Sequence, residues 1–243
     1  MIEHHIDIKT KDGVMNSFIT HPEEGGPHPV VLFLMDAPGK REELHDMARR
    51  IGTAGYYVML PNLYYRTTPE FDMSRDPGGG KRMFELMRSL TNDLVMEDVG
   101  AMLAYADTQA AARKGKVGVV GYCMSGPFAF RAASRHADRV AVSASIYGVS
   151  LMTDQKDSPH LFAKDIKGEM YFACAEHDGY APPEQINALE KYLSGLNIKY
   201  RIEWYPGADH GFAFPQRAGM YHKPSAERHW ERLFDMFGRN LKP

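Results

Sequence analysis

Residues 116–126 have the sequence KVGVVGYCMSG, which combines the features of a buried strand, a tight turn and the start of a helix. Its first half is rich in valine, as in a buried β-strand, and the residues that follow suit a helix. Between the two lies Cys123, with the small residues Gly121 and Ser125 two positions before and after it. A strand that turns tightly into a helix needs small residues there, because the backbone passes close to its neighbours. We therefore predict a nucleophile elbow, a strained turn that presents the side chain of Cys123.

Outward from this turn, short apolar runs alternate with amphipathic stretches along the chain. Strands are predicted at residues 30–35, 57–60, 116–121, 140–146, 169–174 and 200–204, and helices at 40–55, 92–111, 124–134, 183–193 and 225–237. Strand then helix, repeated, indicates an α/β protein with a mostly parallel sheet and helices on both faces. No repeat or linker marks a second domain, so residues 1–243 are predicted to form one domain.

Two further segments have distinct patterns. Apolar residues alternate on either side of Lys11-Asp12-Gly13, which predicts an N-terminal antiparallel hairpin with a tight Asp-Gly turn. Residues 64–82, with two prolines and three consecutive glycines, look too irregular for a helix or a strand. This segment is a candidate rim or lid over a site.

Composition narrows the class of protein. The net charge is −2, and lysine and arginine are scattered, which argues against nucleic acid or acidic membranes as partners. No run of about 18 apolar residues predicts a membrane-spanning helix, and the polar first residues do not form a signal peptide. Two cysteines cannot build a disulfide framework, so we expect a cytoplasmic protein. The sequence leaves the oligomeric state open.

Ser125 is the rival nucleophile, since serine is the commoner choice in such turns. Centred on Ser125, the flanking residues would be Cys123 and Pro127, and the strand would have to end two residues later. We therefore favour Cys123, whose thiolate the N-terminus of the following helix would stabilise. The backbone N–H of Met124 could then donate to an oxyanion. Cys174 lies within an apolar strand and is interpreted as a core residue.

A catalytic histidine is predicted at His210. Where such an elbow carries the nucleophile, an acid and then a histidine follow it along the chain. His210 comes after the last predicted strand, in a compact turn with glycines on both sides that let the backbone bend toward the elbow. His222 and His229 lie before and on the terminal helix, and we interpret them as exposed to solvent.

The acid should lie just beyond the strand at 169–174, where Glu176 and Asp178 both qualify. Asp178 is favoured because Gly179 and two prolines follow it, which places it in the loop that precedes the next helix. Asp209 adjoins His210, and neighbouring residues seldom turn their side chains toward each other. The expected role of the acid is to orient the imidazole and to stabilise the imidazolium.

Assembled, these segments resemble the dienelactone hydrolase family (carboxymethylenebutenolidases) of the α/β-hydrolase superfamily. The specific matches are Gly121-Tyr122-Cys123, Asp178 before a proline-opened helix, PGADHGF at residues 206–212 and LPNLY at residues 60–64. The resemblance implies an α/β-hydrolase fold and a Cys–Asp–His triad. It also implies hydrolysis of a small-molecule lactone or ester with no metal or organic cofactor. We expect the acyl group to pass through a thioester on the cysteine.

The chain departs from the family pattern at three places. Ser125 stands where the family usually has glycine. Asp36 stands where the family has a glutamate that binds the resting thiol and swings away when substrate arrives, so Asp36 is a candidate thiol-modulating residue. The turn at Asp36 and Ala37 is also expected to supply the second oxyanion donor. Family members hold the substrate carboxylate with arginines, and the basic candidates here are Arg75, Lys81, Arg82 and Arg217.

Two alternative functions stay open. The same triad would serve a carboxylesterase or thioesterase, which differs from a lactone hydrolase only in substrate. The other alternative is a non-catalytic scaffold that binds a ligand. A missing triad member would favour that scaffold, but Cys123, Asp178 and His210 are all present.

Overall fold

An antiparallel hairpin begins the chain in the computed structural model, which describes residues 1–242. Strands β1 (Ile2–Thr10) and β2 (Gly13–His21) pair along their whole lengths, as the alternating apolar residues predict. Thr10 lies opposite Gly13, so the turn consists of the two residues between them, one residue earlier than predicted. Gly13 begins β2 with a φ of 141°, a backbone conformation that glycine adopts without a Cβ clash.

Contacts group the chain into two units, residues 1–117 and the residues from 118 onward. The other elements within the first unit are β3 (His28–Leu34), α1 (Glu42–Thr53), β4 (Tyr57–Pro61), α2 (Gly79–Arg88) and α3 (Asn92–Ala106). Its strands follow the order β1-β2-β4-β3, where β2 and β4 are antiparallel and β3 and β4 are parallel. All residues of β3 and β4 are buried, which explains why both are continuous apolar runs.

Strand β5 (Ala112–Tyr122) leads into the second unit. The elements that follow are a 3-10 turn (Cys123–Ser125), α4 (Gly126–Arg135), β6 (Val140–Ile146), a 3-10 helix (Pro159–Asp165), β7 (Glu169–His177), α5 (Pro183–Ser194), β8 (Lys199–Asp209) and α6 (Lys223–Leu241). The strands follow the order β5-β6-β7-β8, and β7 is parallel to both β6 and β8. Parallel strands place their carboxyl ends at one edge, where the loops after β7 and β8 begin.

The predictions of a mostly parallel sheet with helices and of an N-terminal antiparallel hairpin are confirmed. The prediction that residues 64–82 are irregular throughout is wrong at its end, because α2 begins at Gly79. Glycine is a poor helix former, but here the glycines occupy only the cap and the first turn, and the helix buries Leu86.

Several other boundaries differ from the prediction, including the ends of α3 and β8 and the start of β5. α3 ends at Ala106, because Thr108 and Gln109 bond back to carbonyls of its last turn, and β5 begins at Ala112. The 3-10 helix Pro159–Asp165 was not predicted, since short 3-10 segments lack the 3.6-residue apolar period.

That residues 1–243 form a single domain stays a prediction. Among residues 1–242, none of the helices combines the length and apolar character needed to traverse a lipid bilayer.

A buried ion pair fixes the start of the irregular segment. Asp98 on α3 is fully buried and accepts two hydrogen bonds of 2.8 Å from the guanidinium of Arg66. It also accepts one of 2.8 Å from the hydroxyl of Tyr65. Burial raises the pKa of Asp98, and these hydrogen bonds oppose the rise. Asp98 therefore ties the segment that follows β4 to α3.

Replacing Asp98 by alanine should lower the free energy of unfolding by about 3 kcal/mol, because Arg66 loses its buried partner. Urea denaturation followed by circular dichroism measures the loss. The matched control is Glu97→Ala, since Glu97 is exposed and its ion pair with Lys11 spans 3.5 Å. Such surface pairs contribute about 0–1 kcal/mol. Equal losses in the two variants would contradict the anchoring role of Asp98.

Candidate active site

Cys123 lies in the tight turn between β5 and α4. Its φ is 54°, in the left-handed region that residues other than glycine seldom occupy. A Cβ at Gly121 would lie 2.1 Å from the carbonyl oxygen of Ser125, so only glycine fits two residues before the cysteine. The amide of Val149 donates to the carbonyl of Cys123 at 3.2 Å and holds the turn from the β6 side. The predicted strained turn is therefore present.

The two candidate nucleophiles differ in exposure. The side chain of Cys123 is partly exposed, whereas Ser125 has no exposed surface. Met124, the predicted oxyanion donor, follows Cys123 within the same 3-10 turn. The second cysteine, Cys174, is buried in β7 as predicted, and burial raises the pKa of its thiol to about 12.

The predicted histidine and acid lie in hydrogen-bonded series with Cys123. Nε2 of His210 lies 3.0 Å from Sγ of Cys123, and Nδ1 lies 2.8 Å from Oδ2 of Asp178. The other carboxylate oxygen of Asp178 accepts the backbone N–H groups of Tyr180 at 2.9 Å and Ala181 at 3.1 Å. His210 and Asp178 are both buried. The loop after β7 thus fixes the carboxylate, and the carboxylate fixes the imidazole.

The electrostatics of His210 favour the imidazolium. Burial alone would lower the pKa of His210, but the hydrogen bonds and charges of Asp178 and Cys123 outweigh it and raise that pKa to about 9. The pKa of His210 in the folded protein exceeds its ordinary value of 6.5, so protonated His210 stabilises the folded state. This contribution is fully present below pH 6.5 and is lost as the pH rises through about 9. Near neutral pH the arrangement therefore favours the imidazolium form of His210.

The sequence model of the dienelactone hydrolase family matches this chain over residues 15–241. The chain belongs to the dienelactone hydrolase family. A curated relative in Synechocystis sp., named "Putative carboxymethylenebutenolidase", is 27% identical over 247 residues, with 98% of this chain and 99% of the relative covered. The carboxymethylenebutenolidase of Pseudomonas putida is 25% identical over 235 residues, with 96% and 95% covered.

Solved structures show the same fold. A crystal structure from Klebsiella pneumoniae, named "Putative Dienelactone Hydrolase", superposes with a TM-score of 0.89 at 22% sequence identity, and 98% of each chain is covered. The predicted α/β-hydrolase fold is therefore confirmed. As a member of the dienelactone hydrolase family, the chain is an enzyme that hydrolyses a small ester or lactone.

Glu176, the alternative acid, and Asp209, which was set aside, are both exposed. Glu176 is exposed, and its carboxylate accepts the backbone N–H of Gly207 at 2.7 Å. Asp209 is exposed at the end of β8. Asp178 is the carboxylate that the structure brings to His210.

Asp36 and Ala37 lie in the first unit, at the end of β3. Asp36 is fully buried, and its two oxygens accept from the guanidinium of Arg41 at 2.6 and 3.2 Å. Arg41 also binds the carboxylate of Glu43 at 2.7 Å. The carbonyl of Ala37 accepts the hydroxyl of Tyr64 at 2.9 Å. The turn that carries the predicted second oxyanion donor is therefore braced on both sides.

The basic candidates for a substrate carboxylate have acidic or aromatic neighbours. Arg75, Lys81 and Arg82 lie on exposed positions within 4 Å of Asp72, Glu85 and Asp76, respectively. Arg75 also lines a cavity of about 410 Å³ in the first unit, together with Lys40, Arg41, His45 and Phe71. Arg217 lies over the ring of Phe214 at 4.7 Å. A Cβ added at Gly211, the residue after His210, would lie 3.1 Å from the guanidinium of Arg217.

The prediction that His229 is exposed is wrong, because this residue is completely buried. Its Nε2 lies 3.1 Å from the hydroxyl of Tyr122. A signal for burial existed in the sequence: His229 falls on the face of α6 that also carries Ala226, Trp230 and Leu233, at helical spacing. His222 is partly exposed and bonds Ser225 at the start of that helix.

Among residues 1–242, no three His, Cys, Asp or Glu side chains are grouped to hold a metal ion.

Aromatic rings enclose the imidazole on two sides. Tyr147 meets the ring of His210 edge-on at 5.1 Å, and Tyr180 lies 4.9 Å from it. Tyr147 is buried, whereas 61% of Tyr180 is exposed. The sequence analysis singled out neither residue, because their approach to His210 depends on how the loops after β6 and β7 fold.

Asp178→Asn should lower the pKa of His210 well below 9, because the ring loses an anionic hydrogen-bond partner. Titration of the histidine ring nitrogens by NMR measures this pKa. Glu176→Gln is the matched control, since that carboxylate bonds Gly207 rather than His210. An unchanged His210 titration in Asp178→Asn would refute this account of the imidazolium.

Proposed function

We propose that the enzyme hydrolyses a lactone or small carboxylic ester through a thioester on Cys123, with His210 as the proton carrier and Asp178 as its orienting acid. The supporting observation is the unbroken series of close contacts from Sγ to Nε2 at 3.0 Å and from Nδ1 to the carboxylate at 2.8 Å. A nucleophile, a base within hydrogen-bond reach and a carboxylate behind it are the parts that acyl transfer needs.

Acylation starts from the thiolate of Cys123. The sulfur attacks the carbonyl carbon, and the N–H of Met124 and an N–H from the turn at Asp36 and Ala37 bind the oxyanion. When the tetrahedral intermediate collapses, the carbon–oxygen bond breaks and the carbon–sulfur bond remains. In an enol lactone the leaving group is an enolate, which needs little help from a general acid. The imidazolium of His210 supplies its proton.

Deacylation needs the neutral imidazole of His210 rather than the imidazolium. The contact between His210 and the sulfur of Cys123 accounts for this change. Once the sulfur is acylated, it no longer carries the charge and hydrogen bond that help to raise the pKa of His210. Burial then favours the neutral ring, which takes a proton from water as the water attacks the thioester. The product acid leaves, and the thiolate and imidazolium form again. One histidine therefore serves both steps.

Asp36 is proposed to modulate the thiol, as the family resemblance implies. Its carboxylate is bound at both oxygens by Arg41, so any swing toward or away from the thiol would have to give up those hydrogen bonds. We propose Arg217 for the substrate carboxylate, because its guanidinium would lie 3.1 Å from a Cβ added at Gly211, the residue after His210. A catalytic thiol is best preserved in a reducing compartment, so we propose a cytoplasmic location.

Cys123→Ala should abolish turnover while leaving the fold intact, because Ser125, the other candidate nucleophile of the turn, is completely buried. The measurement is steady-state hydrolysis of an enol lactone, with circular dichroism to show that the variant is folded. Cys174→Ala is the matched control, since that thiol is buried and should not contribute. Retained hydrolysis in Cys123→Ala would reject the proposal and point to Ser125.

Substrate profiling separates the lactone reaction from its alternatives. We expect kcat/KM for enol lactones to exceed that for aryl esters and thioesters of similar size by roughly tenfold or more, because ring opening releases an enolate that stays attached to the acyl chain. A thioester adduct on Cys123 should be detected by mass spectrometry after rapid acid quenching. A preference for simple aryl esters or thioesters would replace the lactone with those substrates and leave the triad standing.

A further inference from the structure

The hydroxyl of Tyr122, the residue before Cys123, is bound by a histidine from the last helix. Tyr122 and His229 are fully buried, and the hydroxyl lies 3.1 Å from Nε2. The other ring nitrogen, Nδ1, bonds the carbonyl oxygen of Ala226, which can only accept. Nδ1 therefore carries a hydrogen, and in the neutral ring Nε2 accepts from the hydroxyl of Tyr122. Both hydrogen bonds have a fixed direction.

The backbone of Cys123 needs such an anchor because it is strained. A left-handed conformation at a residue other than glycine persists only where the surrounding structure holds it. The hydrogen bond from Val149 and the packing of Gly121 on Ser125 constrain the backbone of the turn. Tyr122 adds a side-chain constraint on the residue covalently joined to the strained one.

Aromatic contacts carry this constraint to the histidine of the triad. Tyr122 lies 5.9 Å from Tyr147 and 5.5 Å from Phe214, measured between ring centroids. Tyr147 in turn meets His210 edge-on at 5.1 Å. The same buried cluster therefore adjoins both sides of the contact between Sγ and Nε2. A shift of Tyr122 would therefore move the sulfur of Cys123 through the backbone. It would also move the imidazole of His210 through the ring of Tyr147.

We propose that the Tyr122–His229 hydrogen bond positions the catalytic thiol: His229 holds Tyr122, and Tyr122 holds Cys123 within reach of His210. Neither Tyr122 nor His229 is placed among the reacting atoms, so both are positioning residues. The inference rests on the proposed function for its kinetic readout, but thiol reactivity tests it without any substrate. A merely structural role would change stability alone.

Tyr122→Phe is the decisive variant, because it removes the hydroxyl and keeps the ring. We expect kcat to fall about tenfold with KM unchanged, since a misplaced nucleophile weakens the reaction more than binding. Alkylation of Cys123 by iodoacetamide at pH 7 should slow by roughly the same factor, because the sulfur loses the imidazolium that favours the thiolate.

Variants of His229 test the other end of the hydrogen bond. His229→Leu should reproduce the loss, and combining it with Tyr122→Phe should add little, as expected for two partners in one interaction. His229→Gln keeps an acceptor on α6 and should restore most of the alkylation rate and of kcat. If the leucine variant fails to fold, Tyr122→Phe and His229→Gln carry the test by themselves.

Tyr171→Phe is the matched control. Tyr171 is a buried tyrosine in the same unit, and its hydroxyl bonds Tyr205 at 2.7 Å and Glu203 at 3.0 Å. Its loss should lower the melting temperature and leave kcat and alkylation unchanged. The proposal is overturned if folded Tyr122→Phe behaves like Tyr171→Phe in both readouts. Failure of the proposed nucleophile would look different, because Cys123→Ala would then retain turnover while alkylation still reported on the role of Tyr122.

Discussion

The contact between the sulfur of Cys123 and Nε2 of His210, 3.0 Å long, is the interaction on which the rest of the site depends. A sulfur can reach that point only if the chain bends sharply at the end of β5. The bend costs backbone strain at Cys123 and excludes any side chain at Gly121. The local sequence therefore presents the sulfur of Cys123 beside the imidazole of His210.

Two kinds of support keep this pair in place. Charge support comes from Asp178, one oxygen of which is fixed by two backbone N–H groups while the other binds the ring. Packing support comes from the aromatic side chains behind the turn, including Tyr122 and Tyr147. The first raises the pKa of His210, and the second is the support that we propose for the position of the sulfur. Acyl transfer needs both, because a reactive thiol that points elsewhere does no chemistry.

The sequence predicts well what depends on local chemistry. The small residues around Cys123 and the glycines beside His210 mark turns with few possible conformations, so both side chains could be named before any fold was known. Contacts between distant segments were harder. That Arg41 binds Asp36 depends on how the turn after β3 folds back, and His229 was misjudged because its helical face was not weighed against its polarity. Helix α2 was not predicted because it begins with glycines, which are poor helix formers, and no side chain caps its first turn.

The two thiols of the chain stand in opposite surroundings, and this has a consequence for oxidative damage. Peroxides attack thiolates, and the first product, a sulfenic acid, is normally rescued when a second thiol condenses with it. Cys174, the other thiol, is sealed inside β7 and cannot resolve an oxidised Cys123. Recovery must therefore come from a thiol in solution, such as glutathione. Where that supply is exhausted, further oxidation to the sulfinic acid would modify Cys123 irreversibly.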